Sequence, residues 1–189
     1  VVFSCPYFTD GVLFAKTADE LGLHGQVVFI AGAGACGYVD EASIEAAGKA
    51  VEWYTNTYGY NPYAPGEWNQ KFVKEFQKRM GRLPQDASGE IYYSLWVIKE
   101  ALEKAAEINP SDPLNPDVLR QAFFSLDITS GPAAQTYPSG HIKFDVHGDN
   151  AYGKTIVMQV INGKPWVVWP TETAQKEPVF PRPDWKPAS

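Results

Sequence analysis

Short apolar runs recur through the first third of the chain. Runs rich in β-branched and aromatic residues at Val1–Cys5, Gln26–Ala31 and Val51–Thr57 predict three strands, of which the first is expected to be buried. Apolar positions at helical spacing occupy the two intervals between these runs. The resulting β-α-β-α-β order predicts a parallel sheet with right-handed crossovers and with helices on its faces.

The two intervals each predict one helix with defined ends. Thr9 or Asp10 is the expected N-cap of the first helix, and Gly22 supplies the left-handed residue that follows its last turn. Asp40 is the expected N-cap of the second, shorter helix, which ends at Gly48.

The middle of the chain predicts helices without strands. They run from Pro65 to Gly81, from about Ala87 to Glu107, and from Asn115 to Leu126. Along the longest of them, apolar residues recur at i, i+4 and i+7 spacing on one face, at Ile91, Leu95, Ile98, Leu102 and Ala105. A stripe of this kind is typical of a helix that packs along one side.

The last part of the chain returns to β-structure. Residues 142–146 alternate as an edge-type strand, and the hairpin signal Asn162-Gly163 joins predicted strands at Thr155–Ile161 and Trp166–Trp169. From Pro170 onward, five prolines in twenty residues predict an extended tail that wraps the surface. Connectors rich in Pro and Gly near 58–66 and 127–140 separate a β/α first part, a middle part of three helices and a β-hairpin end.

Composition and charge narrow the functional classes. The chain has 16 basic and 22 acidic residues, a net charge of −6, which argues against nucleic acid or an anionic membrane as the main partner. No Ser/His/Asp arrangement, P-loop or metal-ligand spacing occurs, so the sequence predicts neither an enzyme nor a metal site. Because the chain begins inside an apolar run at Val1, we expect it to be part of a longer protein.

The stretch Gly32–Gly37 matches the G-x-G-x-x-G fingerprint of dinucleotide-binding domains. In such domains the glycines lie directly between a strand and a helix whose N-terminus faces the pyrophosphate. Here Tyr38 and Val39 intervene, and the expected cap Asp40 would place a negative charge where the phosphate belongs. A nucleotide-dependent oxidoreductase that uses this loop is the alternative function.

The same loop has a second interpretation, as one wall of a ligand crevice. Ligands of open α/β sheets bind at the carboxyl ends of the parallel strands. The loops Cys5–Thr9 and Ala31–Tyr38 follow two strands that we expect to be neighbours, and the small residues of the second loop allow close approach to backbone amides. Tyr7, Phe8 and Tyr38 would either form an aromatic wall of that crevice or simply pack the edge of the sheet.

Several stretches together carry a family resemblance. They are VVFSCPYFTDGVLFAKTADELGL (1–23), QVVFIAGAGACGYVDEASIEAAGKAVE (26–52), FVKEFQKRMGRLPQDASGEIYYSLWVIKEALEKA (72–105), GHIKFDVHGDN (140–150) and IVMQVINGKPWVVWP (156–170). In this order and spacing they resemble the substrate-binding proteins of ABC transporters of the branched-chain amino acid (Leu/Ile/Val-binding) type, which are type I periplasmic binding proteins. The resemblance covers about residues 1–170 and only the C-terminal half of such a protein.

The resemblance implies part of the bilobal, parallel-sheet α/β fold of type I periplasmic binding proteins, with a C-terminal β-hairpin. Residues 1–57 would belong to lobe 2 and residues 58–130 to lobe 1, while residues 131–170 would return to lobe 2 before the tail at 171–189. The missing N-terminal half would hold most of lobe 1. The helices at 65–126 would therefore expose their apolar stripes unless that half or another chain covers them.

The resemblance also implies a function. The protein would be a periplasmic receptor that binds a small metabolite between two lobes, without a cofactor, and delivers it to an ABC permease in the membrane. A sensor or regulator that uses the same bilobal module is a third hypothesis, besides the receptor and the oxidoreductase.

Only a few ligand contacts are implied by the resemblance. Amino-acid-binding members carry an acidic residue in the loop after the second of these strands, where it pairs with the ligand ammonium. The matching position here is Ala33, so a small carboxylate or an aromatic compound is as well supported as an amino acid. The candidate ligand-binding residues are Tyr7, Phe8, Thr9, Ala33, Gly34 and Tyr38.

Cys5 and Cys36 are candidates for a disulfide. Both lie at the carboxyl ends of strands that we expect to be neighbours, and parallel neighbours are about 4.8 Å apart. That separation is compatible with disulfide geometry. The oxidising periplasm that the resemblance implies would permit the bond.

Overall fold

The computed structural model describes residues 1–23, 29–31 and 38–183 of the chain. The chain divides into two compact units, of which unit 1 is Val1–Tyr58 with Ile156–Ser189 and unit 2 is Gly59–Thr155. The first boundary lies next to the predicted one. Residues 131–155, which we expected to join the hairpin, belong instead to unit 2, because Ala133, Ala134 and Ile142 are part of its apolar core.

Unit 1 is built on a sheet whose described strands follow one another in space as they do along the chain. They are β1 (Val2–Ser4), β2 (Phe29–Ala31), β3 (Thr55–Tyr58), β4 (Ile156–Ile161) and β5 (Lys164–Trp169). The first three strands are parallel, as the β-α-β-α-β order predicts, whereas β4 and β5 are each antiparallel to the preceding strand. The predicted α/β class with a C-terminal hairpin is confirmed.

The hairpin of β4 and β5 turns at Asn162 and Gly163, as predicted. Both residues are left-handed, with φ angles of 56° and 68°, which is the conformation that an Asn-Gly turn favours. The Glu52 carboxylate accepts hydrogen bonds from both turn amides, at 2.6 and 2.9 Å. The turn is thereby tied to the segment that precedes β3.

Two helices follow the first two strands, α1 (Phe8–Glu20) and α2 (Glu41–Ala47). The predicted N-cap of α1 is wrong, because the backbone enters the helix directly after Tyr7, and the Gly11 amide donates to the Tyr7 carbonyl at 2.8 Å. Thr9 and Asp10 therefore lie inside the first turn, where a carboxylate is favourable to the helix dipole. Gly22 follows the last turn with φ 69°, as predicted.

The third strand is shorter at its start than the sequence predicts. Gly48–Val51 forms a 3-10 turn directly after α2, and Trp53 has φ 69°, a left-handed conformation that a strand does not contain. Val51 is fully buried, so its apolar character reflects a place in the core. The strand begins only at Thr55.

Side chains of β1, β2 and β3 form two rows across the sheet. Ser4, Ala31 and Asn56 are register partners in one row, and Phe3 is the partner of Ile30 in the other. Phe3 is 64% exposed, so the expectation of a fully buried first strand is wrong. The reason is that β1 lies at the edge of the described sheet.

The proline-rich tail, as far as Pro183, packs against β4 and β5. The buried Gln159 amide donates to the Val179 carbonyl at 3.1 Å and accepts from the Val179 amide at 2.9 Å. The Gln175 side-chain oxygen accepts from the Val167 amide at 3.0 Å, and the Gln175 backbone amide donates to the Val167 carbonyl at 2.7 Å. The tail is therefore an integral part of unit 1.

Unit 2 is helical in the part of the chain that the structure describes. Its helices are α3 (Glu67–Met80), α4 (Asp86–Ile108), α5 (Pro116–Ser125) and α6 (Gly131–Thr136). The first three match the prediction within two residues, whereas the α6 segment was predicted as a loop because its Gly-Pro start is a typical turn signal. None of the helices in the described ranges is long and apolar enough to cross a membrane.

The apolar stripe of α4 lies on the surface of unit 2. Its first four residues are between 39% and 61% exposed, at Ile91, Leu95, Ile98 and Leu102. Ala105, the last residue of the stripe, is instead fully buried, as is the neighbouring Ala101. The expectation of an exposed stripe is confirmed for four of its five residues.

The strand predicted at 142–146 is replaced by two isolated bridges. Ile142 pairs with Ile128, and Phe144 pairs with Asn150. Because the two residues pair with different segments, no continuous ladder forms, although both side chains belong to or border the apolar core of unit 2.

Candidate functional site

The candidate site lies at the carboxyl edge of the parallel strands in unit 1. Ser4 at the end of β1 is the register partner of Ala31 at the end of β2, and Ala31 is the partner of Asn56 in β3. The carboxyl ends of β1 and β2 therefore lie side by side, as predicted. This edge is where open α/β sheets bind ligands.

The predicted ligand contacts Tyr7, Phe8 and Thr9 lie at the start of α1, shortly after β1 ends at Ser4. Tyr7 is 72% exposed, Phe8 is 39% exposed, and Thr9 is also exposed. Exposed aromatic side chains next to a sheet edge are available for stacking on a ligand, and the Thr9 hydroxyl is available for a hydrogen bond. Their contact with a ligand stays a prediction.

Tyr38, which was predicted for the same aromatic wall, lies in the core instead of at the surface. Only 1% of its side chain is exposed, and its hydroxyl shares a hydrogen bond of 2.7 Å with the Ser4 hydroxyl. Its ring also meets the Tyr54 ring edge-to-face, with 4.8 Å between the ring centroids. Direct contact between Tyr38 and a ligand stays a prediction.

Tyr38, Val39 and Asp40 form a buried turn before α2, here named the 38–40 turn. The Asp40 carboxylate accepts a hydrogen bond from the hydroxyl of the buried Tyr58 at the end of β3. Asp40 occupies the N-cap position of α2 as predicted, but its side chain makes no capping hydrogen bond. Its carboxylate serves to attach the 38–40 turn to β3.

The tyrosines around this turn keep their protons at neutral pH. Burial raises the pKa of the Tyr38 hydroxyl, and the Ser4 hydrogen bond opposes that rise only in part. Burial also raises the pKa of Tyr54, with a smaller contribution from the neighbouring Tyr38. Both side chains are thus neutral at this pH and carry no charge toward a ligand.

Several predicted site residues lie outside the described residues. They are Ala33, Gly34 and Cys36, together with the rest of the Gly32–Gly37 motif. Cys5 is exposed, and its disulfide with Cys36 stays a prediction because Cys36 lies outside the described residues. The helix that follows the glycine motif begins only at Glu41, with the acid Asp40 before it. That arrangement differs from a pyrophosphate cradle, in which the helix starts at the glycines.

Sequence reasoning missed the polar partners beneath the site. Ser4 was assigned only to a strand, and Tyr58 only to a connector. Asn56 is fully buried, and its side-chain carbonyl oxygen has no hydrogen-bond partner among the described residues. The alternation Tyr54, Asn56, Tyr58 was the available signal, because polar groups that recur on one strand face need partners when that face is buried.

Cavities also lie away from this edge, in both units. One cavity of unit 2 measures about 290 Å³, is mostly apolar, and is lined in part by Tyr93, Val97 and Phe123. Another cavity of unit 2 measures about 330 Å³ and is lined by Leu95 and Trp96. A cavity of unit 1 measures about 400 Å³ and lies between the tail and the row that contains Ile30. None of these three is lined by the predicted ligand-binding residues.

Comparison with known families identifies the class of the protein. A family model for periplasmic binding proteins matches residues 1–164, so the chain belongs to the periplasmic binding protein family. Comparison with curated protein sequences gives no match.

Solved structures with the same fold come from several bacteria. A leucine-binding protein from Thermotoga maritima is 23% identical, with a TM-score of 0.67 over 87% of this chain and 42% of that protein. A branched-chain amino acid ABC transporter protein from Thermus thermophilus, solved with bound valine, is 17% identical, with a TM-score of 0.65 over 89% of this chain and 45% of that protein. A solute-binding protein from R. palustris, in complex with benzoate, is 16% identical, with a TM-score of 0.67 over 88% of this chain and 41% of that protein.

These similarities establish the fold of the chain. The family match confirms that the resemblance to periplasmic binding proteins is correct, whereas the branched-chain amino acid type stays part of the proposal below. The chain spans less than half the length of each of these three proteins, between 41% and 45%.

Proposed function

We propose that the protein is a solute-binding receptor of an ABC importer and that the carboxyl edge of unit 1 contributes to its ligand site. One observation carries this proposal: Ser4 and Ala31 are register partners, so the two strands that precede the predicted ligand contacts end side by side. Membership in the periplasmic binding protein family supports the same function.

The proposed ligand is a small metabolite with an apolar or aromatic body. The described side chains at the edge, Tyr7, Phe8 and Thr9, are uncharged, and the Asp40 carboxylate is buried and bonded to Tyr58. A ligand carboxylate would bind hydroxyl and backbone N–H groups, which hold anions without an opposite charge. The names of the relatives, which refer to leucine, valine and benzoate, support this size and chemistry.

The proposed partners follow from the family. A receptor of this kind delivers its ligand to a membrane permease and works outside the cytoplasm. Ala33 and Gly34 stay the proposed backbone contacts of the ligand, and no catalytic residue or cofactor enters the proposal.

The exposed stripe of α4 supports a further partner, a polypeptide segment that covers it. Ile91, Leu95, Ile98 and Leu102 form a continuous apolar face along a 23-residue helix. Exposed patches of this kind mark surfaces that other protein segments bury. We propose the remaining part of a longer chain, or a second chain, as that covering segment.

Calorimetric titration of the full-length protein with leucine, valine, benzoate and NAD⁺ tests the receptor function. We expect one of the three small metabolites to bind and NAD⁺ not to bind. Replacing Tyr7 or Phe8 by Ala should weaken that binding by roughly tenfold, the usual cost of truncating an aromatic anchor. Phe180→Ala is the matched control, because Phe180 is 72% exposed, like Tyr7, but lies in the tail.

Two results would contradict the proposal. Binding of NAD⁺ alone would favour the oxidoreductase alternative at the glycine motif. Metabolite binding that Phe180→Ala weakens as strongly as Tyr7→Ala would mean that the carboxyl edge is not the ligand site.

A further inference from the structure

We infer that Tyr38 is a positioning residue of the ligand site, which sets the place of Tyr7, Phe8 and Thr9 through its contacts with Ser4 and the start of α1. The inference rests on the proposed function for its link to ligand binding. Its structural part concerns how the start of α1 is held on the sheet, and that part is measurable without any ligand.

The first contact joins the 38–40 turn to the segment before α1. The hydroxyl oxygens of Tyr38 and Ser4 are 2.7 Å apart, and Ser4 is the last residue of β1. Only Cys5 and Pro6 separate Ser4 from Tyr7. A hydrogen bond at Ser4 therefore fixes the point from which the chain rises toward the exposed side chains.

The second contact packs Tyr38 under the first turns of α1. A Cβ atom built on the buried Gly11 would lie 3.5 Å from Cε1 of Tyr38 and 3.2 Å from Cγ of Pro6. The Tyr38 ring, the Pro6 ring and the backbone of Gly11 thus pack closely, with Tyr38 within van der Waals reach of the start of α1. Since the Gly11 amide bonds the Tyr7 carbonyl, this packing reaches the first residue of the predicted site.

The 38–40 turn is itself held from the opposite side by β3. The Tyr54 ring meets the Tyr38 ring edge-to-face, and the Tyr58 hydroxyl bonds Asp40. Tyr38 is consequently fixed between β3 and α1. A change at the Tyr38 hydroxyl therefore displaces Pro6 and Tyr7, because the Tyr54 ring packs against the Tyr38 ring and resists its movement toward β3.

A set of four variants of the full-length protein tests the inference. Tyr38→Phe and Ser4→Ala each remove one end of the same hydrogen bond, and the double variant removes both ends. Tyr60→Phe is the matched control, since it deletes a buried tyrosine hydroxyl that bonds Asn69 at 2.8 Å in unit 2. The ligand-independent measurement is hydrogen exchange of the amides at 8–12.

Loss of the shared hydrogen bond should speed exchange of these amides by about fivefold in both single variants. The double variant should exchange no faster than either single variant, because one bond is lost in all three. Tyr60→Phe should leave the exchange unchanged. The dissociation constant for whichever of leucine, valine and benzoate binds the wild type should rise by a similar factor in the first three variants only.

Unchanged exchange at 8–12 in Tyr38→Phe and Ser4→Ala would overturn the inference, and so would additive effects in the double variant. An equal rise of the dissociation constant in Tyr60→Phe would show a general loss of stability and would overturn it as well. If the wild type binds none of the three probes, the proposed ligand class fails, while the exchange data still decide the positioning role of Tyr38.

Discussion

Three buried tyrosine hydroxyls make specific polar contacts in the two units. Tyr38 bonds Ser4, Tyr58 bonds Asp40, and Tyr60 bonds Asn69. The paired residues are 34, 18 and 9 positions apart, and each pair ties a loop or turn to a strand or a helix. At the scale of the residue, these contacts specify positions that apolar packing alone would leave less defined.

The absence of a side chain at Gly89 is a second specific packing requirement of the fold. Gly89 is buried inside α4, and a Cβ atom there would overlap the ring of Tyr60. Helix propensity alone predicts that Gly89→Ala stabilises the protein by about 0.5–1 kcal/mol. Because the overlap is with a buried ring, we expect the opposite sign, a loss of about 1–3 kcal/mol in the free energy of unfolding.

Urea denaturation of the Gly89→Ala variant measures that change. Ser94→Ala on the exposed part of the same helix is the control, and it should shift the free energy of unfolding by no more than about 0.5 kcal/mol. A stabilised Gly89→Ala variant would mean that Tyr60 does not pack against α4 as described.

At the scale of elements, long periodic segments could be predicted and short ones could not. The predicted ends of α4 lie within one residue of the observed ends, because its apolar pattern persists over 23 residues. The strands β1 to β3 are only three or four residues long, and an apolar run such as that around Val51 fits a buried 3-10 turn equally well. The six-residue helix α6 has too few residues for a period to be read.

Asp127, His141 and Lys143 form a polar cluster that stabilises the segment between α5 and the hairpin. The Asp127 carboxylate accepts a hydrogen bond from Lys143 Nζ at 2.7 Å and shares one with His141 Nε2 at 2.6 Å. Lys143 and His141 flank Ile142, which pairs with Ile128. The Lys143 and His141 hydrogen bonds lower the pKa of Asp127 from its ordinary 3.8, and the Asp127 carboxylate raises the pKa of Lys143.

The lowered pKa of Asp127 determines how the stability of the fold changes with pH. A carboxyl whose pKa is lowered by folding stabilises the fold above its ordinary pKa of 3.8 and loses that contribution as the pH falls through the lowered value. We therefore expect Asp127→Asn to lower the urea midpoint at pH 7 and the difference from wild type to shrink in acid below pH 3.8.

Urea midpoints of both proteins between pH 7 and pH 3 measure this difference. Asp149→Asn, at an exposed aspartate of the same segment, is the control and should show no comparable difference at pH 7. A midpoint difference for Asp127→Asn that stays constant into acid would contradict an ionic origin.

At the scale of the molecule, the sequence predicts which strand ends form the candidate site. It does not predict the side-chain pairs that hold the site together. The β-α-β order alone places the loops after β1 and β2 side by side, because sequential parallel strands connected by a helix are usually adjacent. The side-chain pairs Ser4–Tyr38 and Tyr58–Asp40 join residues 34 and 18 positions apart, and no local pattern encodes such partners. Tyr38 was thus predicted to form part of the aromatic wall of the ligand crevice, whereas the structure places its side chain in the core.

The two units also differ in what they leave uncovered. Unit 1 has an exposed Phe3 on its edge strand, and unit 2 has the exposed stripe of α4. Both features fit a chain that spans less than half the length of the similar structures. The proposed covering segment would bury apolar surface in each unit separately.

Amide chemical shifts of the full-length protein, recorded while leucine, valine or benzoate is added, test the proposed site most directly. For the metabolite that binds, the shifts should change most in residues 7–11, with smaller changes in the 38–40 turn. Changes confined to the residues that line the cavity of about 290 Å³ in unit 2, such as Tyr93 and Phe123, would contradict a ligand site at the carboxyl edge of unit 1.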